Sequence, residues 1–108
     1  TMACLSEVIG ISLEGCGSAL ATSAKKRQIA FESGVLINEL VKKDIKPKDI
    51  ITRDSVRNAI ITDLTLGGST NSILHLLAIA QSADVDLSLN DFEEKIIEHK
   101  IKLFLLYF

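Results

Sequence analysis

The sequence has few of the residues that mark specialised protein classes. It contains two cysteines, one proline, one tyrosine and no tryptophan among 108 residues. Two cysteines are too few for a disulfide framework or a four-ligand zinc site. No apolar run approaches the roughly 20 residues that span a membrane, and the first residues lack the charged start of a signal peptide. Because the chain starts at Thr1 rather than at a methionine, we expect it to be a segment of a longer protein.

The net charge is also small. Twelve Lys and Arg residues oppose 14 Asp and Glu residues, which leaves a formal net charge of -2. This balance excludes the strongly basic surface that is typical of nucleic-acid-binding proteins. Hydrophobic residues make up 47% of the chain and charged residues 24%, a composition typical of globular proteins rather than disordered ones. We therefore predict a small soluble domain with no nucleic-acid partner and no membrane partner.

The hydrophobic spacing predicts a mainly α fold of about five helices, with no convincing strand. Thr52 is the expected N-cap of the third helix, and Pro47 is expected to open a short helical turn before it. Gly10 and the pair Gly67-Gly68 are expected to end the first and third helices. The predicted helices cover residues 2–9, 23–43, 53–66, 73–80 and a stretch that starts at residue 88.

Two of these helices carry specific expectations about packing. In residues 23–43, Ile29, Leu36 and Leu40 share an apolar face, and Gly34 is expected to mark a close packing contact. Residues 73–80 are apolar on nearly all sides. We therefore expect this helix to be the most buried one in the chain.

The most informative segment is the glycine pair followed by Ser69, Thr70 and Asn71. A helix that starts there would present N–H groups and hydroxyls at the positive end of its dipole, an arrangement that suits a carboxylate or phosphate. The alternative is a helix stop that leads directly into the next N-cap. The segment is not a P-loop, because no Gly-Lys-Ser/Thr ending follows.

The remaining candidate residues have simpler interpretations. His75 lies one helical turn after Asn71, and it is either a general acid or base or a histidine in the core or against a partner. Cys4 and Cys16 could contribute to a metal site, but further ligands are lacking, which favours incidental thiols. Caps and a solvated helix face explain the acidic residues within 84–94. The residues therefore assign no catalytic side chain and no metal ligand.

Several stretches of the chain resemble one enzyme family. Residues 66–80, Leu-Gly-Gly-Ser-Thr-Asn-Ser-Ile-Leu-His-Leu-Leu-Ala-Ile-Ala, together with the flanks 41–50 and 85–92, resemble the dihydroxy-acid dehydratases. The likeness covers roughly residues 1–94. The Gly-Gly-Ser-Thr-Asn block is shared with the sugar-acid dehydratases, whereas the apolar run after it is more similar to the branched-chain amino-acid enzyme.

The resemblance implies a complete enzyme that removes water from a 2,3-dihydroxy carboxylate to give a 2-keto acid in valine and isoleucine biosynthesis. It implies an iron–sulfur cluster and magnesium in that enzyme, and an α/β N-terminal domain. The family's cluster cysteines would lie before Thr1, the last of them only a few residues away, and its magnesium ligands and base would lie elsewhere as well. We therefore expect an interior fragment that holds no cofactor and is inactive alone.

In such an enzyme, the resemblance makes Gly68, Ser69, Thr70 and Asn71 candidates for one edge of the pocket that binds a small-molecule carboxylate. The expected location is the cytoplasm, or an organelle if the enzyme comes from a plant or a fungus. Two alternatives remain. One is a fragment of a sugar-acid dehydratase of the aldonate or 6-phosphogluconate type, and the other is an independent helical interaction module.

The end of the chain departs from the family. We therefore divide the chain into a dehydratase segment, residues 1–94, and an apolar tail, residues 95–108. The tail is either the product of a frameshift or truncation, or a real terminal helix or strand. Because its last eight residues carry one charge and no proline, we expect self-association through residues 101–108.

Overall fold

The computed structural model describes residues 1–97, which form six helices and no strand. This confirms the mainly α fold class. The helices are α1 (Met2–Ile9), α2 (Ala24–Lys42), α3 (Pro47–Ile50), α4 (Arg53–Leu66), α5 (Asn71–Ser82) and α6 (89–97, where the description ends). None of these helices is long and apolar enough to cross a membrane. The expected self-association through residues 101–108 falls outside the described residues.

The ends of the helices follow the local capping signals. Thr52 Oγ1 accepts the Ser55 N–H at 3.1 Å, while Ser55 Oγ accepts the Thr52 N–H at 2.9 Å, and this reciprocal pair starts α4. Gly67 ends α4 in the left-handed conformation, with φ of 61°. At the start of α6, the Ser88 N–H donates to the Asp91 carboxylate at 2.8 Å. The predicted positions of these three boundaries are confirmed.

The core lies where α4 packs against α1 on one side and α5 on the other. Both α4 and α5 contribute residues spaced three or four positions apart, so each helix buries one stripe. Phe92 of α6 closes the core. The buried core residues are Leu5, Ile9, Ile51, Val56, Ala59, Ile60, Leu76, Ala80, Ala83 and Phe92.

The prediction that α5 is the most buried helix is wrong, because among the described residues four are buried on α4 and three on α5. Ser72, Leu76 and Ala80, each four residues apart, are its buried residues. Leu74 lies on a different side of the helix and is 67% exposed. The reason is that α5 packs against α4 along a single stripe, and within residues 1–97 no second layer covers its other side.

The packing predicted for α2 is also wrong. Of its predicted apolar face, only Ile29 is buried, and Leu36 is exposed. Phe31 is 74% exposed. A Cβ atom added at Gly34 would meet nothing within 4 Å, so this glycine marks no close contact. The apolar side of α2 is therefore uncovered in the described part of the chain.

We predict that Gly34→Ala stabilises the chain by about 1 kcal/mol, because alanine has the higher helix propensity and space is open at this position. Urea unfolding followed by circular dichroism measures the change. Ala30→Gly, at another exposed position of α2, is the matched control with the opposite expected sign. A destabilised Gly34→Ala variant would show that the glycine has a packing role.

Candidate functional site

The four residues that the sequence singled out lie between α4 and α5 and at the first position of α5. The side chains of Ser69, Thr70 and Asn71 are exposed, and Gly68 is half-buried. As predicted, α4 ends at Leu66 and a new helix follows the glycine pair. We call residues 68–71 the loop.

The backbone N–H groups of this loop are largely occupied, and the expectation that they are unclaimed is wrong. The Gly68 N–H donates to the Asp63 carbonyl oxygen at 2.9 Å, which is a helix-ending bond of α4. The Ser69 N–H donates to Thr1 Oγ1 at 3.1 Å. The Asn71 N–H donates to Ser69 Oγ at 3.3 Å, so Ser69 supplies the predicted capping oxygen. Three backbone N–H groups of the loop are therefore already hydrogen-bonded within the chain and do not point at a ligand.

Asp63 lies directly beneath the loop. Its side chain is buried, with 8% exposure, and Oδ2 accepts a hydrogen bond from the hydroxyl of Ser72. The other oxygen, Oδ1, has no hydrogen-bond partner within residues 1–97. A Cβ atom on Gly68 would lie 1.8 Å from Oδ1, so only glycine fits over this carboxylate. Asp63 and Ser72 thus support the loop from below.

Asp63 and Ser72 are not among the residues that the sequence pattern predicted. A signal for Asp63 was available, because it lies four residues after Ala59 and three after Ile60, on the stripe that α4 buries. A carboxylate on an apolar stripe, just before a glycine pair, indicates a buried polar contact. Ser72 carries no comparable signal, since it follows three polar residues and reads as part of the cap.

A second polar cluster joins α1 to the turn at residues 14–18. Glu7 Oε2 accepts the Gly15 N–H at 2.8 Å, and Glu7 Oε1 accepts the Gly17 N–H. These two bonds, with the Gly17 bond the stronger influence, hold the pKa of Glu7 below its ordinary value of 4.5. Glycines that leave backbone N–H groups accessible in a tight turn are the signal that could have predicted this anchor.

This lowered pKa predicts an acid-dependent loss of stability. Because the folded-state pKa of Glu7 lies below the unfolded-state value, its contribution is complete above about pH 4.5 and disappears as the pH falls through the folded-state pKa. Glu7→Gln should therefore be less stable than the parent chain near neutral pH, and the difference should shrink on acidification. Urea unfolding across this pH range tests the expectation.

Glu14→Gln is the control, because Glu14 is an exposed carboxylate in the same turn. Glu14→Gln removes one negative charge from the turn and leaves both bonds to Glu7 in place, so it should be as stable as the parent chain near neutral pH. Asp91 retains its own share of the acid sensitivity in both variants, since the Ser88 N–H and hydroxyl lower its pKa. A Glu7→Gln difference that is the same at every pH would contradict the prediction.

The other candidates do not form a catalytic group. His75 is exposed and lines an open groove of about 440 Å³ together with Met2 and Ile79, so the interpretation of a core histidine is wrong. Cys4 and Cys16 are free thiols. Within residues 1–97, no three His, Cys, Asp or Glu side chains are placed to hold a metal ion.

Comparison with known proteins gives the family. Residues 1–105 match the family described as Dihydroxy-acid/6-phosphogluconate dehydratase N-terminal. The chain belongs to this family. It is 55% identical over 94 residues to a dihydroxy-acid dehydratase of Endomicrobium trichonymphae, a match that covers 87% of the chain. It is 60% identical over 93 residues to one of Trichlorobacter lovleyi and 59% identical over 93 residues to one of Geobacter sulfurreducens, each over 86% of the chain.

The chain corresponds to a small part of these relatives, spanning 17% of the length of each. It is therefore a fragment of an N-terminal domain of the dehydratase type, as the resemblance implied. The division at residue 94 stays a prediction.

Proposed function

We propose that this chain is part of an enzyme that dehydrates a 2,3-dihydroxy carboxylate to a 2-keto acid in valine and isoleucine biosynthesis, and that the loop forms one edge of its substrate pocket. The support for the reaction is the identity of 55–60% to proteins named dihydroxy-acid dehydratase. The named relatives favour this substrate over a sugar acid. The fragment itself would help to bind and orient the substrate, and the rest of the enzyme would carry the reacting groups.

The observation that carries the pocket proposal is the bond between the Ser69 N–H and Thr1 Oγ1, at 3.1 Å. This bond fixes the loop against the start of the described chain. The resemblance implies that the last cluster cysteine lies a few residues before Thr1. A loop held against Thr1 would therefore lie close to the reacting centre.

Side chains, rather than backbone N–H groups, are the part of the loop that could contact substrate. Thr70 and Asn71 are exposed, and neither side chain takes part in a hydrogen bond within residues 1–97. A hydroxyl and a carboxamide can both donate to a carboxylate. We assign them to binding and orientation of the substrate, with Asp63 and Ser72 holding the loop in place.

The iron–sulfur cluster and magnesium implied by the resemblance would supply Lewis acids to the complete enzyme. The residues described here do not fit either group by themselves, because no three candidate ligands converge within residues 1–97. Cys4 and Cys16 remain free thiols on α1 and in the turn. We assign the groups that hold the cofactors to other parts of the enzyme, as the resemblance implies.

A chimeric enzyme tests the proposal. The 93 residues of this chain that match the Geobacter sulfurreducens relative, at 59% identity, would replace the corresponding segment of that relative. We expect the chimera to dehydrate a 2,3-dihydroxy carboxylate. Asn71→Asp within it should raise KM at least about tenfold, because a hydrogen bond to a charged group is lost and a like charge is added.

Asn58→Asp, at an exposed position of α4, adds the same charge away from the loop and is the matched control. It should leave KM unchanged. A folded chimera with its cofactors bound and no activity would contradict the proposed reaction. An active chimera in which Asn71→Asp and Asn58→Asp have equal KM would contradict the pocket assignment alone.

The exposed apolar side of α2 favours a second candidate, an interaction module. Phe31, Val35 and Val41 are each more than half exposed, and such a surface is typical of an interface. Light scattering on the full chain and on a chain that ends at Glu94 separates the contributions of α2 and of the tail to self-association. If only the full chain associates, residues 95–108 carry the association. If the chain that ends at Glu94 also associates, the apolar side of α2 is the interface. If both chains are monomeric, the interaction module is contradicted.

A further inference from the structure

Cys16, in the turn at residues 14–18, and Lys26, in α2, form a close pair. Lys26 Nζ donates to the carbonyl oxygen of Cys16 and also lies 3.3 Å from Cys16 Sγ. Both residues are half-buried. An amine and a thiol are therefore in contact, with nothing between them.

Both partners are held by bonds on their own elements. The residues on either side of Cys16, Gly15 and Gly17, donate their N–H groups to Glu7. Lys26 lies in the first turn of α2, where its N–H donates to Ser23 Oγ at 3.2 Å. The backbone of each partner is thus held in place, and the two contacts of Lys26 Nζ with Cys16 set the position of the amine beside the sulfur.

The surroundings favour the reactive form of the thiol. The Ser12 hydroxyl and then the Lys26 ammonium form hydrogen bonds that lower the pKa of Cys16, against an opposing effect of burial. The thiolate is the form of cysteine that attacks peroxides and other electrophiles. Lys26 therefore has two effects on Cys16, since it stabilises the thiolate and places a nitrogen beside the sulfur.

We propose that Cys16 and Lys26 are a peroxide-sensitive pair, in which Cys16 is oxidised by hydrogen peroxide and then captured by Lys26 as a sulfur–nitrogen bond. The bond would join α2 covalently to the turn. Sulfenic acids are known to condense with nitrogen nucleophiles, which gives this chemistry a precedent. Nothing in the proposed dehydration uses either residue.

The two steps balance. In the first, the Cys16 thiolate attacks one oxygen of hydrogen peroxide, the O–O bond breaks, and the departing hydroxide takes a proton from the Lys26 ammonium to leave as water, which leaves Lys26 as the neutral amine. In the second, the neutral Lys26 amine attacks the sulfenic sulfur, the S–O bond breaks, and the hydroxyl leaves with an amine proton as a second water. Overall the thiol, amine and peroxide give one S–N bond and two waters, with sulfur oxidised by two electrons and peroxide reduced.

Tryptic mapping of the peroxide-treated full chain tests the proposal. Lys25 is the first cleavage site in the sequence, so residues 1–25 contain Cys16 and are released from Lys26. We expect residues 1–25 to remain joined to residues 26–27, with the mass of the pair lowered by about 2 Da because two hydrogens are lost. Treatment with a thiol reductant should separate the two peptides.

Three variants define the result. Lys26→Arg keeps the positive charge but lacks the nucleophilic amine, so it should lose the linkage and accumulate a sulfenic acid that dimedone traps. Lys25→Arg is the matched control and should retain the linkage. Cys4→Ser should also retain it, which excludes a disulfide between Cys4 and Cys16. Circular dichroism confirms that each variant is folded.

The proposal is overturned if the oxidised chain contains only a disulfide that Cys4→Ser abolishes. It is also overturned if Cys16 is converted to the sulfinic acid without any linkage to residues 26–27. Equal sulfenic acid trapping in the parent chain and in Lys26→Arg would likewise show that Lys26 does not capture the oxidised sulfur.

Discussion

Gly17→Ala is expected to destabilise the chain by about 3 kcal/mol, the upper end of the cost of overpacking a close contact. A Cβ atom at this position would lie 2.8 Å from the backbone nitrogen of Cys4 and 2.9 Å from the backbone carbon of Ala3. Backbone atoms inside a helix cannot rotate away as a side chain can. The turn at residues 14–18 would therefore have to lift off α1.

The same substitution would disturb the Glu7 anchor. The added Cβ would also lie 2.9 Å from Glu7 Oε1, the oxygen that accepts the Gly17 N–H. Urea unfolding measures the loss, and Gly34→Ala is the control because its Cβ has open space and its expected sign is opposite. If Gly17→Ala unfolds at the same urea concentration as the parent chain, the turn does not pack on α1 as described.

The ends of the helices could be predicted from the sequence because their causes are local. Thr52 caps α4 through a residue three positions away, and Gly67 ends it because glycine readily adopts a left-handed conformation. Pro47 starts the short α3 for a similar reason, since its missing N–H has no role at a helix start. Each of these effects involves residues within one helical turn.

Which sides of the helices are buried could not be predicted, because that depends on partners distant in the sequence. The apolar residues of α2 have helical spacing, yet Phe31 and Leu36 are exposed within the described part of the chain. Hydrophobic spacing predicts a helix with an apolar side, but not whether a partner covers it. A segment that spans 17% of its relatives has much of its surroundings in other parts of the protein.

The supports of the candidate site were missed for the same reason. Asp63 and Ser72 are nine residues apart, and Glu7 contacts Gly17 across ten residues, so none of these contacts lies within one helical turn. The family resemblance identified the loop but not the residues beneath it. The buried Asp63, with one oxygen unpartnered within residues 1–97, makes the glycine above it the most informative position to change.

Gly68→Ala is expected to cost about 2 kcal/mol. Its Cβ would lie 1.8 Å from Asp63 Oδ1, so the carboxylate would have to move and lose its bond with Ser72. Thr1 Cγ2, 2.7 Å from the same Cβ, would also be displaced, and with it the bond that holds Ser69. We expect the exchange of the Ser69 amide hydrogen to accelerate, because the loop separates from α1 before the chain unfolds.

A double-mutant cycle identifies the cause. In an Asp63→Ala background the clashing oxygen is absent, and Gly68→Ala should cost at least about 1 kcal/mol less than in the parent chain. The cost of Gly68→Ala that remains in this background measures the contact with Thr1, whose side chain is exposed and adjusts more easily. Equal costs in the two backgrounds would show that Asp63 does not determine the identity of residue 68. A smaller cost with Asp63 absent would establish the buried carboxylate as the support on which the loop rests.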